Sequence, residues 1–423
     1  MNRRVVITGL GLVSPLGCNV ELAWQRLLAG QSGVRALDPA ISAGTGAAVA
    51  GRVPSLEEDP EAGWNPENVV SPKELRRLDR FAAFALGAAD QALVHAQWQL
   101  PTAVQKERAA TIIGSGVGGF GTIVDAVRTT DGKGPQRLSP FTVPAFLANL
   151  AAGQVSIRHE LQGPIGAPVT ACAASIQAMG DAARLIRNDE ADMALCGGSE
   201  ATIDRVALGS FAAAKALSNS GGDNPATASR PFDAARDGFV MAEGAGLLVL
   251  ESLEHALARG AVPLAEVVGY GTSADAYHVT SGPEDGSGAA RSMLSALRQA
   301  GLQPQDIQHL NAHATSTPVG DRGELAAIRK VFGTGRGPSI TATKSALGHM
   351  LGAAGGAAAI FTVLALRDQK VPPVLNLEHP DALAEGLDMV RGEARAQDIE
   401  HAMLNGFGFG GVNASLILRR YPG

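Results

Sequence analysis

The amino-acid sequence predicts an α/β protein with a mainly parallel sheet, and three observations carry that prediction. Apolar runs of strand length alternate with helical patterns along the whole chain. With 423 residues, 45% of them hydrophobic, the chain can build two domains or one two-lobed body with a sizeable core. It holds 52 glycines but only 4% aromatic residues, a composition that fits tightly packed layers with many close backbone approaches.

The strand-like runs of the first half are RVVITGLG (4–11), AATIIGSG (109–116), APVTACA (167–173), MALCGG (193–198) and GAGLLVLES (244–252). The second half adds LAEVVGYG (264–271), IQHLNAH (307–313), SITATKS (339–345), HAMLNGFGFG (401–410) and NASLILR (413–419). Helical patterns lie between them at 71–96, 172–188, 287–301, 320–332 and 350–368. The first opens on SPKE, with Ser71 as N-cap, Pro72 at the first helical position and Glu74 completing a capping box. Lys73, Arg76, Arg77 and Arg80 crowd its start; on residues alone they are either a solvated face or a landing site for an acidic partner. VVITGLGLVSP near the N-terminus echoes AEVVGYGTSAD (265–275), and DMALCGGSEATI (192–203) echoes HAMLNGFGFGGVNASL (401–416). These echoes predict a duplicated fold of two halves, 1–258 and 259–423.

Formal net charge is −6, which disfavours a general nucleic-acid surface. Three cysteines, Cys18, Cys172 and Cys196, cannot form a disulfide framework and fit a reducing compartment. The opening MNRRVVITGLGLVSPLGC loosely matches a lipoprotein leader, but Thr8, Gly9, Gly11, Ser14 and Pro15 interrupt it, and it reads as a buried strand and turn. The apolar stretch 347–366 has membrane-spanning length yet contains His349 and four glycines, so a buried core helix is expected. No membrane association is expected, and the cytoplasm is the default location. No Cys or His pairs have zinc-like spacing, so no metal is expected.

Cys172 sits in PVTACAASIQAMG, where an apolar run turns into a helix. A thiol at a helix N-terminus has a lowered pKa and serves as a nucleophile; a free cysteine is more often simply a small buried hydrophobe, and on this stretch alone that reading is the favoured one. Cys18 and Cys196 keep the packing reading. Of nine histidines, His313 and His349 stand apart. The first lies in the hydroxyl-rich loop NAHATSTPVGD, the second five residues after Lys344 in TKSALGHMLGAAGG. His95, His159, His255, His278, His309, His379 and His401 carry no other catalytic signal. GSGVGG (114–119) and GFGFGG (406–411) both match the dinucleotide fingerprint G-x-G-x-x-G, a weak signal in so glycine-rich a chain.

Taken together, these segments resemble the β-ketoacyl-acyl carrier protein synthases, condensing enzymes of the thiolase superfamily, and most of all their type II elongating members. The likeness covers nearly the whole chain. It rests on TACAAS with Cys172, NAHATSTPVGD with His313, and TKSALGHMLGAAG with Lys344 and His349, in that order. ASRPFDAARDGFVMAEGAG (228–246) and DAYHVTS (275–281) add to it. The resemblance implies a duplicated thiolase-like fold, layered α-β-α-β-α with two central mixed sheets. It implies that Cys172 takes an acyl group from acyl carrier protein as a thioester. Malonyl carrier protein then loses carbon dioxide, and its carbanion attacks that thioester to give a product two carbons longer, in fatty acid biosynthesis. His313 and His349 would assist decarboxylation and Lys344 would tune the site; the N–H groups of Cys172 and Phe409 would form the oxyanion hole.

The same resemblance assigns Thr315 and Thr317 to the pantetheine arm. Phe409 gates the acyl channel, Phe407 belongs to the same substrate-facing turn, Phe211 lines the approach, and Val117 lies along the acyl pocket. Lys73, Arg76, Arg77, Arg137 and Lys215 would dock the acidic carrier protein. A homodimer and no cofactor are expected. Ala314 stands where the family usually has glycine, Ala346-Leu347 where Met-Thr is usual, Leu404 and Gly406 where serines are usual, and Val412 in place of Thr. Chain-length preference is the property these departures bear on. Competing readings are a discrete polyketide or secondary-lipid synthase, a non-catalytic chain-length-factor-like partner and a dinucleotide-dependent oxidoreductase. The cysteine argues against the partner role.

Overall fold

The computed structural model describes residues 3–98, 101–335 and 337–422. Its main sheet has eleven strands, numbered here in chain order: β1 (Val5–Val13), β2 (Ala109–Gly114), β3 (Ile165–Gly166), β4 (Met193–Glu200), β5 (Gly244–Ser252), β6 (Ala265–Ala274), β7 (His309–Asn311), β8 (Ser339–Thr341), β9 (Asp388–Met389), β10 (His401–Gly408) and β11 (Val412–Arg420). The spatial order is β9-β8-β7-β10-β11-β6-β1-β5-β4-β2-β3. The first half therefore runs β3-β2-β4-β5-β1 and the second repeats it as β8-β7-β10-β11-β6, with β9 added at its edge. The two mixed sheets meet edge to edge where β1 pairs β6 through Val6–Glu266 and Ile7–Ala265 only, so they run on as one sheet.

Strand directions differ from the mainly parallel expectation. Pairing is parallel toward the outer edges, β3-β2-β4 and β9-β8-β7-β10, and antiparallel through the middle. The parallel strands are linked by helical crossovers; β10 and β11 are joined by the short glycine turn 409–411, which permits only an antiparallel pair.

Seven helices define the layers: α1 (Arg80–His95), α2 (Phe120–Lys133), α3 (Ala174–Arg187), α4 (Arg205–Ala213), α5 (Ser287–Ala300), α6 (Pro318–Phe332) and α7 (Ala354–Asp368). In the central layer α3 packs on β2 and β4, α7 packs on β5 and β10, and the two touch each other. Outside, α1 covers β1, β4 and β5, while α5 covers β6 and β11. α7 and its leading turn are long and apolar enough to cross a membrane. Every residue from Ala354 to Leu366 is instead buried inside the protein.

The sequence echo between β1 and β6 has a packing cause. A Cβ on Gly9 or Gly11 would collide with backbone of α1 at Ala92 and Ala88. One on Gly269 or Gly271 would collide with backbone of α5 at Ala296 and Ser292. Each half thus needs two glycines, two residues apart, where its outer helix lies directly on the strand.

Two expected elements are different. The run 167–173 is not a strand; only Ile165 and Gly166 pair, and Ala171–Ala173 form a 3₁₀ turn. Pro164 and Pro168 have no N–H to give and serve only as acceptors, for Thr111 and Ser115. The helix expected over 71–96 is broken. Ser71 caps a single turn, Pro72–Leu75, through the predicted capping box, and Asp79 then caps α1 by accepting from Phe81 N–H.

Candidate active site

Cys172 lies in the 3₁₀ turn that leads into α3, half-buried, with Ala171 before it at φ 48°. The second half repeats the device: Leu351 has φ 45°, and the 3₁₀ turn Leu351–Ala353 leads into α7. His349 stands just before that turn, where duplication brings it opposite the cysteine. Its Nε2 lies 3.0 Å from Cys172 Sγ. The His313 ring stands edge-to-face with His349 at 5.5 Å, and Phe407 closes on His313 at 5.5 Å.

The β10–β11 turn completes the wall. A Cβ on Gly408 would lie 2.8 Å from Thr170 O and 3.2 Å from Cys172 N, so only glycine lets this strand end approach Cys172 so closely. A Cβ on Gly406 would meet the end of the Ile176 side chain, Cδ1, at 2.9 Å. The backbone N–H groups of Phe409 and Cys172 both stabilise a thiolate at Sγ.

Burial nevertheless dominates the thiol. It pushes Cys172 up to about 11, against the Lys344 charge and the Phe409 N–H, so the lowered pKa expected from a helix start is not found. Burial likewise brings Lys344 down to about 8, opposed by Glu324, Cys172 and Asp321. Burial, with the Lys344 charge, pushes His313 and His349 well below 6.5, so both imidazoles are neutral. A neutral imidazole donates from one ring nitrogen and accepts at the other. Cys18 is pushed up to about 12 by burial and Cys196 is pushed higher, consistent with packing roles.

Carboxylates invisible to motif reading hold the histidine loop. Glu324 on α6 accepts from His313 N at 2.8 Å and Ala314 N at 2.6 Å, and from Asn405 Nδ2 at 3.2 Å. Asn405 in turn accepts from Ser415 Oγ at 2.8 Å. The only sequence signal for Glu324 is an acid on the buried face of a helix eleven residues after the histidine. Ala314 has φ 24°, a left-handed backbone that explains why glycine suits this position. Ala346 and Leu347 are buried behind the site in the short helix Lys344–Leu347.

These groups surround a cavity of about 440 Å³. Cys172, His313 and His349 line it, with Thr315 and Thr317 on one side and Val117, Phe211, Phe407 and Phe409 around the rest. The Thr315 and Thr317 hydroxyls are 3.1 Å apart. Phe211 lies 6.3 Å from Phe409 and edge-on to Phe239 at 5.3 Å. GSGVGG contributes Gly116 and Val117 to the same wall. None of the other seven histidines lines the cavity.

The basic residues divide. Lys215 lines the cavity; Lys73, Arg76, Arg77 and Arg137 are exposed elsewhere on the surface. Arg77 stacks 4.3 Å over Phe141, beside the segment that carries Arg137. Arg80 does not join them; it pairs with buried Glu243 at 2.8 Å.

Comparison with known proteins identifies the family and the fold. The family model described as beta-ketoacyl synthase, N-terminal domain, matches residues 2–256, and the corresponding C-terminal domain model matches 264–378. A 3-oxoacyl-[acyl-carrier-protein] synthase 2 of Rhizobium meliloti is 50% identical over 422 residues, covering 100% of both chains. One from Staphylococcus aureus is 44% identical, covering 99% of each. Among solved structures, a beta-ketoacyl synthase from Burkholderia phymatum superimposes with TM-score 0.91 at 34% identity, covering 99% of this chain and 100% of that one. A type II polyketide ketosynthase bound to its acyl carrier protein gives 0.90 at 32%, covering all of both chains.

Proposed function

The chain belongs to the β-ketoacyl synthase family, and from that premise we propose that Cys172, His313, His349 and Lys344 are the residues that perform its chemistry. The enzyme is a 3-oxoacyl-acyl carrier protein synthase of the type II elongating kind, an acyltransferase of fatty acid biosynthesis. The observation that carries the residue assignment is the 3.0 Å contact between His349 Nε2 and Cys172 Sγ, with the His313 ring beside it.

In the first stage Cys172 Sγ attacks the acyl thioester of the carrier. The thiol proton leaves through His349, the bond to pantetheine breaks, and the pantetheine thiolate takes a proton as it departs. In the second stage malonyl carrier protein enters. Its carbon–carboxylate bond breaks, carbon dioxide leaves, and the electron pair passes into the thioester carbonyl as an enolate. Neutral His313 and His349 donate hydrogen bonds to that oxygen. The enolate carbon attacks the acyl-Cys172 carbonyl, whose oxyanion sits on the N–H groups of Cys172 and Phe409. Collapse expels the Cys172 thiolate, which takes up a proton. Burial keeps both histidines neutral and the Lys344 charge adds to that effect, while the same charge lowers the energy of the thiolate.

Thr315 and Thr317 hold the pantetheine arm at the cavity side, while Val117, Phe211, Phe407 and Phe409 enclose the acyl chain. Lys73, Arg76, Arg77, Arg137 and Lys215 receive the carrier protein, and the protein acts in the cytoplasm. The catalytic divide follows the duplication, 1–258 bearing the nucleophile and 259–423 the histidines, lysine and Phe-Gly-Phe turn. The working form is a homodimer. Edge strand β3 and its surroundings support that reading, because Ile157, Ile165 and Val169 are 72%, 55% and 55% exposed beside an unpaired sheet edge. Light scattering at micromolar concentration should give twice the chain mass.

The test of the mechanism is mass spectrometry after incubation with acyl carrier proteins of several chain lengths. An acyl adduct on Cys172 is expected, with a product two carbons longer once malonyl carrier protein is added. Cys172→Ala should lose the adduct and retain malonyl decarboxylation. No adduct with any chain length overturns the proposal.

A further inference from the structure

Glu200 ends β4 and is fully buried, yet among the described residues it makes no ion pair. Its partners come from two segments remote in sequence. Oε1 accepts from Ser115 Oγ at 3.0 Å, and Oε2 accepts from Gly116 N at 2.6 Å and from Gly352 N at 3.0 Å. Gly116 and Val117 form a wall of the reaction cavity, and Gly352 belongs to the turn directly after His349. Ser115 Oγ also accepts from Gly118 N at 2.9 Å, so the wall loop is folded around the same point. A third segment joins there: Ser175, three residues after Cys172, donates to the Gly352 carbonyl.

The packing leaves no slack. A Cβ on Gly116 would lie 2.7 Å from Glu200 Oε2, and one on Gly352 would be equally close to that oxygen. A Cβ on Gly198 would lie 2.5 Å from Gly352 O and 3.0 Å from Gly114 O. Glycines therefore let the acyl wall and the His349 turn converge on one carboxylate, and Ser175 ties the helix that follows Cys172 to the same Gly352.

We propose that Glu200 is a positioning residue: by tying the Gly116–Val117 wall to the Gly352 turn, it sets both the acyl-chain preference of the cavity and the charge balance at Cys172. The chain-length part rests on the acyl-transfer reading above; the charge part does not. Lys344 from the second half and Glu200 from β4 are the charges that act on the Cys172 thiol; His349 touches it with His313 beside, and Lys215, Asp237, Asp275 and Glu324 line the same cavity. Glu200 opposes thiolate formation where Lys344 favours it. Burial brings the Glu200 carboxyl up to about 7, so above neutral pH it is ionised and its charge acts on the thiol.

The experiment compares wild type with Glu200→Gln, Glu200→Asp and Ser115→Ala, each checked by circular dichroism and thermal melting. The first readout, needing no substrate, is the pH profile of Cys172 alkylation by iodoacetamide, mapped by peptide mass. Glu200→Gln should move its midpoint down by about half a pH unit, since a negative neighbour is removed. Glu200→Asp and Ser115→Ala keep the charge and should leave that midpoint in place. The second readout is acyl transfer from short- and long-chain acyl carrier proteins. All three variants should change the short-to-long rate ratio, by about tenfold or more for Glu200→Gln, the order of one misplaced methylene in an apolar pocket. An unchanged alkylation midpoint in folded Glu200→Gln, or an unchanged chain-length ratio across the variants, overturns the proposal. If Glu200→Gln does not fold, Glu200→Asp and Ser115→Ala decide through the ratio. A wild type that accepts no acyl chain would refute the acyl-transfer reading instead, and the alkylation profile would still judge Glu200.

Discussion

Gly408→Ala should damage acyl transfer without damaging the fold. Gly408 has an ordinary backbone conformation, outside the left-handed region, so alanine adds a methyl group and no dihedral strain. That methyl would lie 2.8 Å from Thr170 O, 3.2 Å from Cys172 N and 3.3 Å from Ala171 Cβ. Two of these neighbours are backbone and cannot rotate away. To reach ordinary contact, which begins at 3.4 Å, the β10 end must retreat from the nucleophile turn by about 0.6 Å. The retreat carries Phe409 N–H with it. An oxyanion donor works at about 2.7–3.1 Å, and deleting one outright costs about 10²–10³ in rate; a 0.6 Å withdrawal should therefore cost about 10- to 100-fold. Overpacking of this kind costs about 1–3 kcal/mol of stability, so the domain should stay folded. Single-turnover transfer from acyl carrier protein to Cys172, quenched and read by mass, measures the rate. Gly132→Ala is the control, because nothing lies within 4 Å of that helical position and the change should raise stability by about 0.5–1 kcal/mol at unchanged rate. Gly408→Ala transferring at more than half the wild-type rate would refute the reasoning.

Glu324→Ala strands the N–H groups of His313 and Ala314 and the amide of Asn405, each worth about 1–3 kcal/mol when buried without an acceptor. A large fall in urea midpoint and loss of condensation should result, whereas midpoint and rate near wild type would remove Glu324 from its assigned role. His309 in β7 is buried, and burial brings its pKa down to about 4 from 6.5. Between those values the unfolded chain binds the extra proton, so stability must rise with pH across the window and be lost as pH falls through it. The shift corresponds to about 3 kcal/mol. His309→Gln should flatten the pH 4–6.5 slope in urea titrations; an equally steep slope in the variant would assign the acid sensitivity to other groups.

What could be read from the chain and what could not divide along a physical line. β5 was legible to the residue at 244–252, because a continuous apolar run bounded by glycine is a local signal. The β1–β6 echo was legible because helix contact demands glycine at fixed spacing in both halves. The run 167–173 misled because apolar residues also line a cavity wall; Pro164 and Pro168 were the overlooked evidence against pairing. The break before Asp79 was hidden because Asp79 reads as one acid within a helical pattern until Thr122, remote in sequence, is seen donating to it at 2.7 Å. Glu200 and Glu324 left no motif for the same reason: their partners are backbone N–H groups of segments folded in from elsewhere. Catalytic side chains announce themselves by residue type, but the carboxylates that hold their loops do not.

Duplication explains why the chemistry lies where it does. Each half places a 3₁₀ turn with a left-handed first residue, Ala171 or Leu351, at the entry of a central helix. Packing α3 against α7 brings both turns to one cavity, so Cys172 on one and His349 just before the other meet without any loop reaching across. The glycine turn after β10 supplies Phe409 to that cavity, and the loop after β2 supplies Val117. A symmetric scaffold thus carries an asymmetric pair of functions, thiol on one side and neutral imidazoles on the other. Charge at the thiol is divided between the halves too: after burial, Lys344 from the second half favours the thiolate and Glu200 from the first opposes it. Burial alone would leave the thiol inert, as it leaves Cys196. Only the cavity wall where both halves contribute gives Cys172 a donor, a proton acceptor and a cation together.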